Sequence, residues 1–143
     1  MSHTIRLRGP WEFAIAGTQI AGRIELPCDW SDLLSAVTSP GKPSFFLGAK
    51  AAITLRRHFH LPTGLEPGDR VLIVLRWQSP HATAQLNGTA LELAEEADGS
   101  HQADVTGALS ARNELAIDLE PLCPAPFHSR DPILEAALQI HPA

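Results

Sequence analysis

The chain of 143 residues contains no tyrosine, only two cysteines and no long apolar run. Two cysteines, Cys28 and Cys123, do not make a disulfide framework, so we expect free thiols in a reducing compartment. A single disulfide between them is the alternative if the protein is exported. The longest apolar run, residues 71–75, has the length of a strand, far below the ~20 residues of a membrane span. The first residues also lack the apolar segment of a secretory signal. We therefore expect a cytoplasmic protein with no membrane partner.

Basic residues are scarce: 11 lysines and arginines stand against 16 acidic residues, which gives a formal net charge of −5. A protein that binds nucleic acid through its phosphates needs clustered basic side chains, so nucleic acid is not an expected partner. The sequence has no glycine-rich phosphate loop, nucleophile elbow or Cys-x-x-Cys pair, and we expect no cofactor. The length excludes a (β/α)8 barrel, which needs roughly 250 residues. A single domain over residues 1–143 is predicted.

Twelve prolines and ten glycines divide the chain into short runs that alternate apolar with polar residues, which is typical of strands and turns. Residues 70–77 are apolar on both faces, so we expect a central strand there. Asn87-Gly88 between two alternating runs is a strong hairpin signal, with the returning strand continuing through Leu91 and Leu93. The runs lie at residues 11–16, 19–26, 53–61, 70–77, 82–86, 113–120 and 134–140. This pattern predicts an all-β protein, an antiparallel β-sandwich or barrel.

His58 and His60 lie two residues apart on one face of a predicted strand, a spacing that two metal ligands can use. A third ligand, His81 or Asp118, would have to come from a neighbouring strand. A solvent-facing polar row on the strand explains the two histidines more simply, so we predict no metal site.

Three side chains on the predicted strands are assigned to the interior. Trp11 and Trp77 lie on the apolar faces of their strands and are expected in the core. Arg57 shares a face with Leu55 and Phe59, and a buried guanidinium must be paired, so we expect a carboxylate or several carbonyls against it.

Five short motifs, taken in order along the chain, resemble the N-terminal sugar-binding domain of glycoside hydrolase family 2 enzymes, the β-galactosidases, β-glucuronidases and β-mannosidases. Each motif alone is weak, and the specificity comes from their order over nearly the whole chain. The motifs are Gly9-Pro10-Trp11-Glu12-Phe13, Pro27-Cys28-Asp29-Trp30, Leu55-Arg56-Arg57-His58-Phe59-His60-Leu61-Pro62, Ala84-Gln85-Leu86-Asn87-Gly88, and Asp104-Val105-Thr106 followed by Asn113-Glu114-Leu115-Ala116-Ile117.

The resemblance implies a jelly-roll β-sandwich of the galactose-binding-domain-like type. In the full-length enzymes the chemistry takes place on a separate barrel domain with two glutamates, as a retaining glycosidase requires. That barrel has no counterpart in this chain. The expectation is therefore a free-standing domain that is not an enzyme.

The resemblance also implies where a sugar would bind, because two loops of this domain approach the sugar site in the larger enzymes. They correspond here to residues 39–50 and 121–131. Asp131 is the nearest candidate for an acidic residue that helps to hold the sugar in some members. Without tyrosine, tryptophan or phenylalanine must supply the flat apolar face that a sugar ring contacts. The candidate carbohydrate-binding residues are Phe45, Phe46, Trp30, His128, Arg130 and Asp131.

Simpler roles stay open for these residues: Phe45, Phe46 and Trp30 as anchors that pack a loop, and Arg130 and Asp131 as a solvated loop tip. The leading prediction is a non-catalytic carbohydrate-binding module with weak affinity. The alternative is an interaction domain that docks on a separate glycoside hydrolase or on a second copy of the chain, with no sugar bound.

Overall fold

The structure is a computed structural model that describes residues 2–15, 21–26, 52–77, 81–120 and 134–143. Its described residues form strands joined by turns, and none of them belongs to a helix long and apolar enough to cross a membrane. The strands are β1 (His3–Arg6), β2 (Trp11–Ile15), β3 (Ala21–Ile24), β4 (Ile53–His60), β5 (Arg70–Trp77), β6 (His81–Leu86), β7 (Thr89–Ala90), β8 (Ala94–Glu95), β9 (His101–Asp104), β10 (Arg112–Glu120) and β11 (Leu134–His141).

The strands form two sheets, and every strand pair among the described residues is antiparallel. The five-stranded sheet has the order β1-β11-β5-β9-β8, and the six-stranded sheet has the order β3-β2-β4-β10-β6-β7. One face of each sheet is buried against the other and the opposite face is open to solvent. The predicted all-β, antiparallel β-sandwich is therefore confirmed.

Alternation along the strands places the core between the two sheets. In β11, the residues Leu134, Ala136, Leu138 and Ile140 are buried, and the residues between them are half-buried on the outer face. Strand β5 lies in the middle of its sheet, as its two apolar faces predict. The largest fully buried side chains are Trp11, Ile15, Ile53, Leu55, Ile73, Leu75, Leu115, Ile117 and Leu119.

Trp11 has no solvent exposure, and its indole N–H donates a hydrogen bond of 2.8 Å to the carbonyl oxygen of Leu7. Its predicted place in the core is confirmed. Arg57 is half-buried and donates through Nη1 to the carbonyl oxygen of His58 at 2.7 Å, whereas its Nε has no partner among the described residues. Burial lowers the pKa of Arg57, and the Glu25 carboxylate partly opposes that effect. The expected pairing of this guanidinium is thus only partly found.

Two asparagines connect the β6–β7 hairpin to β10. Asn87 and Gly88 form the predicted turn with positive φ angles of 53° and 84°. The Asn87 side-chain amide donates to Oδ1 of buried Asn113 at 3.0 Å, and the Asn87 Oδ1 accepts from the backbone N–H of Glu114 at 2.8 Å. Asn113 also accepts from the N–H of Ser110 and donates to its carbonyl, at 2.8 and 2.9 Å. Two of the motifs behind the family resemblance are thus bonded to each other.

The strand predictions were incomplete. Strands β1, β8 and β9 were not predicted, and the return from the Asn87–Gly88 turn is shorter than expected because β7 ends at Ala90. Leu91 and Leu93 pack half-buried against the core without extending β7, and the chain then crosses to β8 in the other sheet. The turn between β8 and β9 is stabilised by hydrogen bonds within the turn. The Asp98 carboxylate accepts from the backbone N–H and the hydroxyl of Ser100, at 3.0 and 2.6 Å.

Candidate functional site

All of the predicted carbohydrate-binding residues lie outside the residues that the structure describes, as do both cysteines. Those residues are Phe45, Phe46, Trp30, His128, Arg130 and Asp131. The predicted binding site therefore stays a prediction. What the structure gives is the position of the strand ends to which the two predicted loops are attached.

In the six-stranded sheet, those strand ends lie side by side. Ile15, at the end of β2, pairs with Ile53, at the start of β4. Ile53 also pairs with Leu119, next to the end of β10. Residues 39–50 rejoin the sheet at the start of β4, and residues 121–131 follow β10, so both loops attach at the same end of this sheet.

The five-stranded sheet presents its corresponding strand ends at the same end of the sandwich. Leu134, at the start of β11, pairs with Trp77, at the end of β5. Only residues 78–80 separate Trp77 from His81, at the start of β6 in the other sheet, a span of at most about 14 Å. Packed sheets are about 10 Å apart, so this link must join neighbouring strand ends. We call this end of the sandwich, marked by Ile15, Ile53, Trp77, Leu119 and Leu134, the loop end.

Trp77 and His101 form a stacked pair beside the loop end, with ring centroids 3.9 Å apart and an angle of 16° between the rings. Trp77 packs against the core and is half-buried, so the prediction of a core tryptophan holds for only part of the ring. His101 is also half-buried, and its Nδ1 has no hydrogen-bond partner among the described residues. Sequence reasoning missed this pair because β9 was not predicted.

The outer face of the six-stranded sheet is polar. His58 Nε2 lies 3.0 Å from a carboxylate oxygen of Glu114 on β10, and the Thr54 hydroxyl donates to Asp118 at 2.6 Å. Within the described ranges, no three histidine, cysteine, aspartate or glutamate side chains are grouped as metal ligands would be. His58 and Asp118, named above as candidate ligands, are instead bonded to neighbours across the sheet.

The outer face of the five-stranded sheet carries two exposed ion pairs, Arg70–Asp104 at 3.2 Å and Arg76–Asp98 at 2.8 Å. The pKa of Asp104 is lowered chiefly by hydrogen bonds from the hydroxyl and N–H of Thr106, and secondarily by Arg70. The pKa of Asp98 is lowered in the same way, first by Ser100 and then by Arg76. These carboxylates stabilise turns.

Between these ion pairs and β1, the same outer face contains a cavity of about 160 Å³. Three arginines and one glutamate line it, Arg6, Arg8, Arg76 and Glu135, around apolar side chains that include Val74. No sequence signal drew attention to this cavity, because most of its residues come from three strands, β1, β5 and β11, that are far apart along the chain.

No protein-family model and no curated protein matches the sequence. Solved structures match the fold. An FMN-binding β-glucuronidase from Faecalibacterium prausnitzii L2-6 aligns with a TM-score of 0.69 and 21% identity over 99% of this chain. A β-glucuronidase from an uncultured Clostridium sp. aligns with a TM-score of 0.70 and 15% identity, again over 99% of this chain. A glycosyl hydrolase family 2 member from Bacteroides cellulosilyticus DSM 14838 aligns with a TM-score of 0.63 and 19% identity over 97% of this chain.

The chain spans only a part of each of these proteins: 23% of the first, 29% of the second and 21% of the third. Identities this low support an inference about the fold and not about the activity. The chain therefore has the β-sandwich fold of one domain of glycoside hydrolase family 2 enzymes, as the motifs in its sequence predict.

Proposed function

We propose that the protein is a non-catalytic carbohydrate-binding module related to the sugar-binding domain of β-galactosidase- and β-glucuronidase-type hydrolases. The observation that carries the proposal is the fold match, which covers 99% of this chain and less than a third of the matched β-glucuronidases. The activity named for those enzymes belongs to whole chains several times longer than the aligned part. A binding role, without hydrolysis, is what this part contributes.

The site of the proposed module is the loop end. Sugar recognition needs a flat apolar face for the ring and fixed polar groups for its hydroxyls, on an open surface. In the proposed site Phe45 or Phe46 supplies the apolar face, Trp30 is a further aromatic candidate, and Arg130 and Asp131 donate to and accept from hydroxyl groups. His128 is a further polar ligand in the same loop. The positions of Ile53, Leu119 and Leu134 support this site, because the two loops attach to strand ends that lie together.

The half-buried Trp77 supports the same location. The other described tryptophan and phenylalanine side chains, Trp11, Phe13 and Phe59, are buried in the core. Among the described tryptophan and phenylalanine side chains, Trp77 is therefore the one that keeps partial solvent exposure, and it lies at the loop end.

The absence of catalysis is part of the proposal. A retaining glycosidase places two carboxyl groups about 5–5.5 Å apart, with one as nucleophile and the other as acid and base. The carboxylates of Asp98, Asp104 and Asp118 are each bonded to a structural partner, respectively Ser100 with Arg76, Thr106 with Arg70, and Thr54. These contacts give the three carboxylates a structural role in the proposal, not a catalytic one.

Calorimetric titration with neutral mono- and disaccharides tests the proposal. We expect millimolar binding that weakens by about 30-fold in Phe45→Ala or Phe46→Ala, since truncating an aromatic anchor costs about 2 kcal/mol. Leu61→Ala is the matched control, because Leu61 is an apolar side chain with 40% exposure away from the two loops. Absence of heat at millimolar sugar contradicts the proposal. If light scattering then finds a dimer, or a glycoside hydrolase is captured, the interaction-domain alternative replaces it.

A further inference from the structure

The cavity on the outer face of the five-stranded sheet has the geometry of a small binding site. Ala137 on β11 pairs with Arg6 on β1 on one side and with Val74 on β5 on the other. Two residues along the same strands, Glu135 pairs with Arg76. Because residues two apart on a strand point to the same face, these side chains share the outer face of the sheet. The short side chains of Ala137 and Val74 form an apolar floor, and the long charged side chains form the rim.

The rim carries an excess of positive charge. Arg76 is bonded to Asp98, whose carboxylate and carbonyl oxygens accept at 2.8 and 3.0 Å. Arg6 and Arg8 are exposed and form no ion pair with any residue in the described part of the chain. Among the residues that the structure describes, three guanidinium groups therefore face two carboxylates, Glu135 and Asp98, which leaves one positive charge in excess.

We propose that this cavity binds a small hydroxylated carboxylic acid, of which the uronic acids are the simplest sugar examples. A guanidinium recognises a carboxylate through two parallel hydrogen bonds, and Arg6 and Arg8 are the groups available to make them. Glu135 accepts hydrogen bonds from hydroxyl groups of the same ligand. The apolar floor contacts the C–H face of a ring. The volume of about 160 Å³ is below the ~300 Å³ at which pockets for drug-sized ligands begin, so the ligand is a single small ring or chain.

The charge balance selects a monoanion over a phosphate. A phosphate group carries about 1.5 to 2 negative charges at neutral pH, whereas the described residues of the rim offer one uncompensated positive charge. Glu135 would repel a second negative charge on the ligand, and its carboxylate can accept hydrogen bonds from hydroxyl groups. This inference is independent of the loop-end sugar site, because the two sites share no residue.

Calorimetry and NMR titration of the intact chain with glucuronate, glucose and inorganic phosphate test the inference at pH 7 and low salt. We expect glucuronate to bind at millimolar concentration, and to lose affinity as salt is added. Arg6→Gln and Arg8→Gln should each weaken glucuronate binding by about tenfold or more, as loss of a hydrogen bond to a charged group implies. Ala137→Leu, which fills the cavity without a change of charge, should weaken it as well. Arg112→Gln is the matched control, because it removes the same charge from an exposed position on the six-stranded sheet.

The outcomes separate this site from the loop end. Equal affinity for glucuronate and phosphate, an Arg112→Gln effect as large as that of Arg6→Gln, or no binding of glucuronate would each overturn the inference. A glucuronate affinity that Arg6→Gln and Ala137→Leu leave unchanged, but Phe45→Ala abolishes, would assign the acid to the loop end and also overturn it. Neutral-sugar binding that survives in Arg6→Gln supports two separate sites.

Discussion

Replacement of Asn113 by alanine tests the physical meaning of the motifs that suggested the fold. Asn113 has 1% exposure and makes three side-chain hydrogen bonds, one with Asn87 and two with the backbone of Ser110. Each such bond contributes about 0.5–1.5 kcal/mol net, so the substitution should lower the free energy of unfolding by about 3 kcal/mol. That is a large share of the ~5–15 kcal/mol expected for a domain of this size.

Urea unfolding followed by tryptophan fluorescence, to which buried Trp11 contributes, measures this loss. With a denaturant slope of about 2 kcal/mol per molar, the unfolding midpoint should fall by about 1.5 M while the slope stays the same. Gln85→Ala is the matched control, because Gln85 is an exposed amide on the neighbouring strand β6 and should change stability by less than about 0.5 kcal/mol. A loss in Asn113→Ala no larger than in Gln85→Ala would refute the idea that the two motifs stabilise the hairpin through each other.

Two further predictions concern turns. The pKa values of Asp98 and Asp104 are lowered in the folded state, so their stabilisation is complete above the ordinary aspartate pKa of about 3.9 and is lost as pH falls through their folded pKa values. Urea midpoints should therefore drop as the pH falls below about 4, and Asp104→Asn should flatten the drop. Gln85→Ala, which removes no titratable group, should leave the drop unchanged. Gly88→Ala should cost roughly 1–2 kcal/mol, because φ at Gly88 is +84°. Thr89→Ala, next to it at an ordinary backbone angle, is the comparison, and an equal loss in both would contradict the backbone explanation.

Strands with strict alternation could be predicted from the sequence, because one face of each is buried against the opposite sheet. Strands β10 and β11 alternate without interruption, and β5 reveals its central place by being apolar on both faces. Strands β1 and β9 could not be predicted in this way. All four residues of β1 are exposed, so burial imposes no pattern on them, and β9 is held by its register with β5 and not by its own composition.

The candidate sites follow the same logic. The loop-end residues were named through the family resemblance, and the strand register adds only that their two loops attach at one end of the sandwich. No motif or residue pattern in the sequence predicts the arginine-lined cavity. Arg6 is close to Ala137 and Val74 only because β1, β11 and β5 are neighbours in the sheet, and strand order is not encoded in local alternation.

An NMR titration of the isotopically labelled chain with a neutral hexose tests the central claim most directly. We predict saturable, millimolar shifts confined to the loop end, including the backbone amides of Ile53 and Leu134 and the indole N–H of Trp77. The amide of Thr89, beside the hairpin turn at the other end of β6, should stay unchanged. A spectrum that no hexose perturbs, or shifts that centre on Thr89 and leave Ile53 and Leu134 in place, would contradict the account.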